Sequence, residues 1–121
     1  MNKLLITLGA AVLSAVVFAG PKVSVLGDSY STYPGAVPEG NALWYDGRKN
    51  GVDSVEKMWW SIAIKALGGQ LEKCEAFSGA TVSATGYGGA DYSDRSFVTR
   101  ATRLGNPDVI LVCGATNDSW A

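Results

Sequence analysis

Histidine is missing from all 121 residues, so any proton transfer the chain supports must proceed without an imidazole of its own. Cysteine is nearly missing: Cys74 and Cys113 are the only two, and each falls in a run that reads as a strand. Cysteine in such runs behaves as a small buried hydrophobe, so two free, buried thiols are expected rather than the disulfide that a pair in an oxidising compartment invites. An excess of either charge is missing too. Ten Lys and Arg against eleven Asp and Glu give a net charge of -1, and the cations are scattered. That excludes nucleic acid and anionic membrane as partners, since both require a basic patch. There is no internal repeat or low-complexity tract, and with 47% hydrophobic residues the composition is that of one globular domain at most.

Residues 1–19, MNKLLITLGAAVLSAVVFA, carry Lys3, then an uncharged apolar run, then small residues at the positions a signal peptidase inspects. The run is shorter than the roughly 20 residues that a bilayer asks for. A cleaved secretory leader is expected, which implies an exported protein, periplasmic or extracellular, with residues 20–121 as the mature domain. No cysteine follows the leader, so no lipid anchor or other stable membrane anchor is expected. About 100 residues suffice for a modest core.

Lys22 to Leu26 alternates, is rich in Val and stops at Gly27, which predicts a first strand. Tyr30 to Asp53 is interrupted by Pro34, Gly35, Pro38, Gly40, Gly47 and Gly51 and reads as a long loop holding Trp44 and Tyr45. Asp53 with Glu56 resembles a capping box, and Val55, Trp59, Ile62 and Ala66 follow at helical spacing until Gly68-Gly69, predicting a helix over 54–67. Trp59 and Trp60 diverge on it, one toward the sheet and one toward the loop. Leu71 to Phe77 predicts a second strand. After the glycines of 86–89, Ser93 or Asp94 can cap a helix bearing Phe97, Ala101 and Leu104 on one face, closed by Gly105. Asp108 to Cys113 is a continuous apolar run of the kind buried on both faces. Strand, helix, strand, helix, strand is the order of a parallel sheet with crossover helices.

Each predicted strand ends in a small-residue turn with a polar group: Gly27-Asp28-Ser29, Ser78-Gly79, and Gly114 to Asp118. Ligands of open α/β sheets bind beyond the carboxyl ends of the strands. There Ser29 is a candidate nucleophile, and its own N–H, the Gly79 N–H and the Asn117 carboxamide are three neutral donors for one developing oxyanion. Such a set suits acyl transfer.

At these positions the chain resembles the SGNH hydrolases, the GDSL-type esterases and lipases. Gly27-Asp28-Ser29 is similar to the first family block, Ser78-Gly79 to the glycine block, and Gly114-Ala115-Thr116-Asn117-Asp118 to the asparagine block. The resemblance implies an α/β, flavodoxin-like three-layer α/β/α sandwich with a parallel sheet, here truncated after about the third strand. It implies ester hydrolysis through an acyl-serine intermediate, with Ser29 as nucleophile and the Ser29 N–H, Gly79 and Asn117 as oxyanion hole. Asp28 and Asp118 would bond turn amides, and no metal or cofactor is called for. The substrate implied is a small-molecule ester or, from the aromatic loop, a carbohydrate ester. Trp44 or Tyr45 would then stack on a sugar, or else fold the loop onto the helix.

The departure from the family pattern is its fourth block, Asp-x-x-His, which supplies the base. The expectation is that this chain is the N-terminal part of a longer exported esterase and is inactive alone. The alternatives are a non-catalytic binding module on the same fold and a flavodoxin-like phosphate or nucleotide binder. Against the phosphate binder stands the lack of any Lys or Arg near the three turns except Lys22.

Overall fold

The computed structural model describes residues 19–121. The expected leader lies outside the described residues but for Ala19, and among the described residues no helix is long and apolar enough to cross a membrane. Three parallel strands, β1 (Lys22–Gly27), β2 (Gln70–Ala76) and β3 (Val109–Cys113), form one sheet in the order β2-β1-β3. Helix α1 (Trp59–Ala66) connects β1 to β2, and the short helix α2 (Phe97–Arg100) connects β2 to β3.

Central β1 decides the layering, because its side chains alternate between two cores. Val23 and Val25 join Met58, Trp60, Ile64, Cys74 and Ala76 beneath α1. On the opposite face Leu26 joins Ala80, Phe97 and Leu104 beneath α2, and the Ser24 hydroxyl donates to the Leu104 carbonyl at 2.7 Å. Helices on both faces make the arrangement an α/β/α sandwich.

Register levels the strand ends. Gly27 is paired with Ala76 on one side and with Cys113 on the other. A shift between Val23 and Ser24 places one extra β2 residue opposite β1, and the upper halves of the strands run in step. The turn after β1 then folds tightly against its own strand. A Cβ built on Gly27 would lie 2.2 Å from the Ser31 Oγ and 2.3 Å from its Cβ, so this glycine serves close approach.

Both tryptophans lock that turn to α1. The Trp60 indole N–H donates to the Ser31 carbonyl at 3.0 Å and the Trp59 indole N–H to the Ser31 hydroxyl at 3.1 Å. Trp60 is buried against the sheet, while Trp59 lines a cavity of about 240 Å³ with Tyr45 and Val52 of the long loop.

Three local expectations are corrected. The first helix is shorter than 54–67: a 3-10 turn over Val55–Lys57 precedes it, and extended Met58 separates the two. Asp53 does not cap; it pairs with Lys57 at 2.8 Å on the surface. The buried face is Trp60 and Ile64, while Ile62 is 58% exposed, because the interruption at Met58 resets the helical phase. The end is as anticipated. Gly68 at φ +64 and the bonds Gly68 N–H to Lys65 O and Gly69 N–H to Ile64 O, both 3.0 Å, make a Schellman motif.

In the second helix neither Ser93 nor Asp94 is the cap; Ser96 accepts from the Thr99 N–H at 3.2 Å. Only Phe97–Arg100 is α-helical before a 3-10 turn takes over, and Ala101 is exposed while Phe97 and Leu104 are buried. Finally, β3 is not buried on both faces. Ile110 and Val112 are 49% and 62% exposed, because α2 lies over β1 and nothing among the described residues covers β3 on that side. Cys74 and Cys113 are both free, the first buried and the second only half-buried.

The steric role of Gly27 is open to measurement. Gly27→Ala should cost about 2 kcal/mol of unfolding free energy by overpacking against Ser31. Urea unfolding of the parent, Gly27→Ala, Ser31→Gly and the double variant should give a non-additive cycle, and additive values would remove Ser31 as the cause.

Candidate active site

Ser29 opens a 3-10 turn, Ser29–Ser31, directly above the central strand. The turn forms because Asp28 caps it: one carboxylate oxygen accepts from the Tyr30 N–H at 3.1 Å. The Ser29 carbonyl holds the Thr32 hydroxyl at 2.8 Å, and that hydroxyl accepts from the Trp44 N–H at 2.8 Å, which ties the long loop to the turn.

Above β2, the Phe77 N–H donates to the Gly27 carbonyl at 3.2 Å, and the Ser78 N–H reaches the Ala42 carbonyl of the long loop at 2.9 Å. Gly79 follows at φ +84, in the region that favours glycine, and a Cβ there would meet nothing within 4 Å. Glycine is needed at this position for its backbone conformation, and its N–H donates no backbone hydrogen bond among the described residues.

Above β3, Ala115 sits at φ +74, a left-handed conformation that costs a non-glycine residue about 1–2 kcal/mol. Strain of this kind is held where the surroundings over-determine the turn. Here they do. Beyond it the Asn117 carboxamide donates to the Ala80 carbonyl at 2.8 Å, and both Asp118 carboxylate oxygens accept from the Val82 N–H, at 2.9 and 3.0 Å. A carboxamide has two N–H donors, so one remains for a ligand.

These contacts stitch the three turns together. The Asp28 N–H donates to the Cys113 carbonyl at 3.2 Å, joining the first turn to the third. The Thr116 side chain favours the charged form of the Asp28 carboxylate, whose second oxygen forms no hydrogen bond among the described residues. Gly79 and Asn117, from the two outer strands, line one cleft of about 330 Å³ with Tyr87, Tyr92 and Trp120. Ser29 is not part of that lining. It stands half-buried at the end of the strand between them, next to Tyr30, which lines the 240 Å³ cavity with Tyr45 and Trp59.

Underneath lies a charge cluster that the sequence reading missed. Arg100, fully buried, donates to the Gly27 carbonyl at 3.0 Å, the Arg95 carbonyl at 2.8 Å and the Glu75 carbonyl. The statement that no cation but Lys22 lies near the strand ends is therefore corrected, although this guanidinium is committed to carbonyls below the turns. Burial pulls its pKa down to about 10, against the attraction of Glu75. Burial raises the Glu75 carboxyl, opposed by Arg103 and Arg100. Burial likewise raises Asp28, opposed by the Tyr30 N–H, Thr116 and Arg100. The available signal was a lone arginine three residues after Phe97 and four before Leu104, on the helix face bound for the core. Tyr87, Tyr92 and Trp120 gave no such signal, because nothing in local spacing brings them to the cleft.

A family model described as GDSL-like Lipase/Acylhydrolase matches residues 21–121. The chain belongs to the GDSL-like lipase/acylhydrolase family. Two crystal structures described as GDSL-like lipases are similar to it. That from Bacteroides ovatus is 47% identical with a TM-score of 0.80, covering 85% of this chain and 52% of the other. That from Bacteroides uniformis is 54% identical with a TM-score of 0.76, covering 84% and 50%. This member of the family thus spans about half the length of those relatives. Comparison with curated proteins gave no match. The fold is that of the family's solved structures over the shared region.

The buried Asp28 carboxyl makes a pH-dependent contribution. Its pKa is raised in the folded state, so the stability it contributes is present below the ordinary carboxylate value of 3.8 and is lost as pH rises through the higher folded value. Asp28→Asn, neutral throughout, should gain stability relative to the parent as pH goes from about 4 to 7. Urea unfolding of both proteins across that range checks the sign, and a gap that shrinks with pH refutes it.

Proposed function

We propose that the chain is the nucleophile-bearing part of an exported serine esterase that cleaves carboxylic esters, with carbohydrate O-acyl esters as the substrate class. The Ser29 hydroxyl attacks the ester carbonyl carbon. The resulting oxyanion is held by the N–H groups of Ser29 and Gly79 and by the free carboxamide N–H of Asn117. Collapse expels the alcohol and leaves acyl-Ser29, which water then hydrolyses. One observation carries the reading: three strand ends are brought level by the register, the turns after the two outer strands share one cleft, and Ser29 lies in the turn after the strand between them.

The chain has no histidine. The base is therefore proposed to reside in the Asp-x-x-His block of the family, on polypeptide outside these 121 residues. Without a base the hydroxyl is a poor nucleophile, and donors alone give only residual rates. The apolar leader at residues 1–19 supports export.

In a polypeptide extended through that block, a fluorophosphonate should label Ser29, and Ser29→Ala should abolish both labelling and hydrolysis of p-nitrophenyl acetate. Asn117→Ala should lower kcat by about 100- to 1,000-fold. The 121-residue chain should stay unlabelled. Hydrolysis that survives Ser29→Ala would refute the mechanism, and an unlabelled extended protein would point to a binding module.

A further inference from the structure

The cleft above Gly79 is walled almost entirely by aromatic rings. Besides Gly79 and Asn117 its lining is Tyr87, Tyr92 and Trp120, in a volume of about 330 Å³ without a single aliphatic side chain. Tyr87 is 71% exposed and Trp120 68%. A cleft walled this way among the described residues forms a poor sleeve for an acyl chain, which requires enclosure. The rings suit a ligand with one apolar face and a hydroxylated rim, which stacks on a ring while its other groups stay wet.

The ring of Tyr92 is packed in place, and the backbone segments that carry the other two rings are tied down. Tyr92 packs where a Cβ on Gly86 would come within 2.3 Å of its ring, and the Arg95 guanidinium lies 4.7 Å from the ring centre. The segment carrying Tyr87 and Tyr92 folds back on itself through the Tyr92 N–H to the Ala84 carbonyl and the Gly86 N–H to the Ala90 carbonyl, both 2.7 Å. Its start is gripped by Asp118 at the Val82 N–H, and Asp118 lies in the same 3-10 turn, Asn117–Trp120, as Asn117 and Trp120. One carboxylate therefore sets the tyrosine loop relative to both the indole and the proposed oxyanion donor. Tyr45, by contrast, shares its cavity with Val52, Met58 and Ile62, the surroundings of a packing residue.

We propose that Tyr87, Tyr92 and Trp120 form the subsite for the sugar ring of a pyranoside O-acyl ester. The ring stacks there while its acyl carbonyl reaches Gly79 and Asn117. This assignment rests on the ester-hydrolase reading for its orientation, but ring binding does not require Ser29 to react.

The test is a nuclear magnetic resonance titration of the ¹⁵N-labelled Ser29→Ala chain with a mono-O-acetylated methyl pyranoside, with phenyl acetate and ethyl butyrate as separate controls. The pyranoside should shift the Trp120 indole and Asn117 carboxamide resonances saturably, and leave the Trp60 indole unmoved. Trp120→Ala and Tyr87→Ala, both at exposed positions, should each weaken binding by about tenfold with the remaining spectrum unchanged. The proposal is overturned if the pyranoside shifts neither resonance, if it shifts Trp44 in place of Trp120, or if either control saturates the cleft at lower concentration. Failure of the hydrolase reading would look different: the pyranoside would bind as described, while hydrolysis by the extended protein would survive Ser29→Ala.

Discussion

Asp28 is the residue on which the site's geometry depends. Its backbone N–H ties the first turn to the end of β3, and its carboxylate caps the 3-10 turn that begins with Ser29. Burying a carboxylate is costly, and here one oxygen has no hydrogen-bond partner while burial raises the pKa. The chain tolerates this because the alternative is an uncapped turn directly beneath the serine. Arg100 lies below it with its charge spread over three carbonyls, which places a cation under the whole set of strand ends without exposing it to a ligand.

Asp118 plays a related part at the surface. Its contact with the Val82 N–H fixes the third turn to the loop after β2, and Asn117 repeats the tie at Ala80. The two aspartates thus act on different scales. Asp28 orients one turn against the sheet, whereas Asp118 sets the position of an entire loop and hence of the rings it carries. The left-handed Ala115 lies between these restraints, where its strain is offset by contacts on both sides.

Much of this could be read from the residues, for a physical reason. Val-rich runs ending at Gly27 and Gly114 mark strands whatever surrounds them, and parallel topology then forces their ends to one side of the sheet. The opposite faces of β1 were also legible, since Val23 and Val25 alternate with Ser24 and Leu26. The buried face of α1 was not. A 3.6-residue period carries no information about the break at Met58, and the shift in phase there exchanges Trp59 and Ile62 for Trp60 and Ile64 on the buried face. Nor could the burial of β3 be judged from its own composition, because Val112 is apolar whether or not a layer lies over it. The aromatic cleft was hidden for a similar reason: Tyr87 and Trp120 lie far apart in sequence and meet only through the Asp118 tie.

The bare side of β3 bears on how the chain behaves in solution. With Ile110 and Val112 open to water and no strand among the described residues paired along its outer edge, β3 presents unsatisfied peptide groups beside apolar side chains. That combination is a template for strand addition, and it favours self-association as concentration rises.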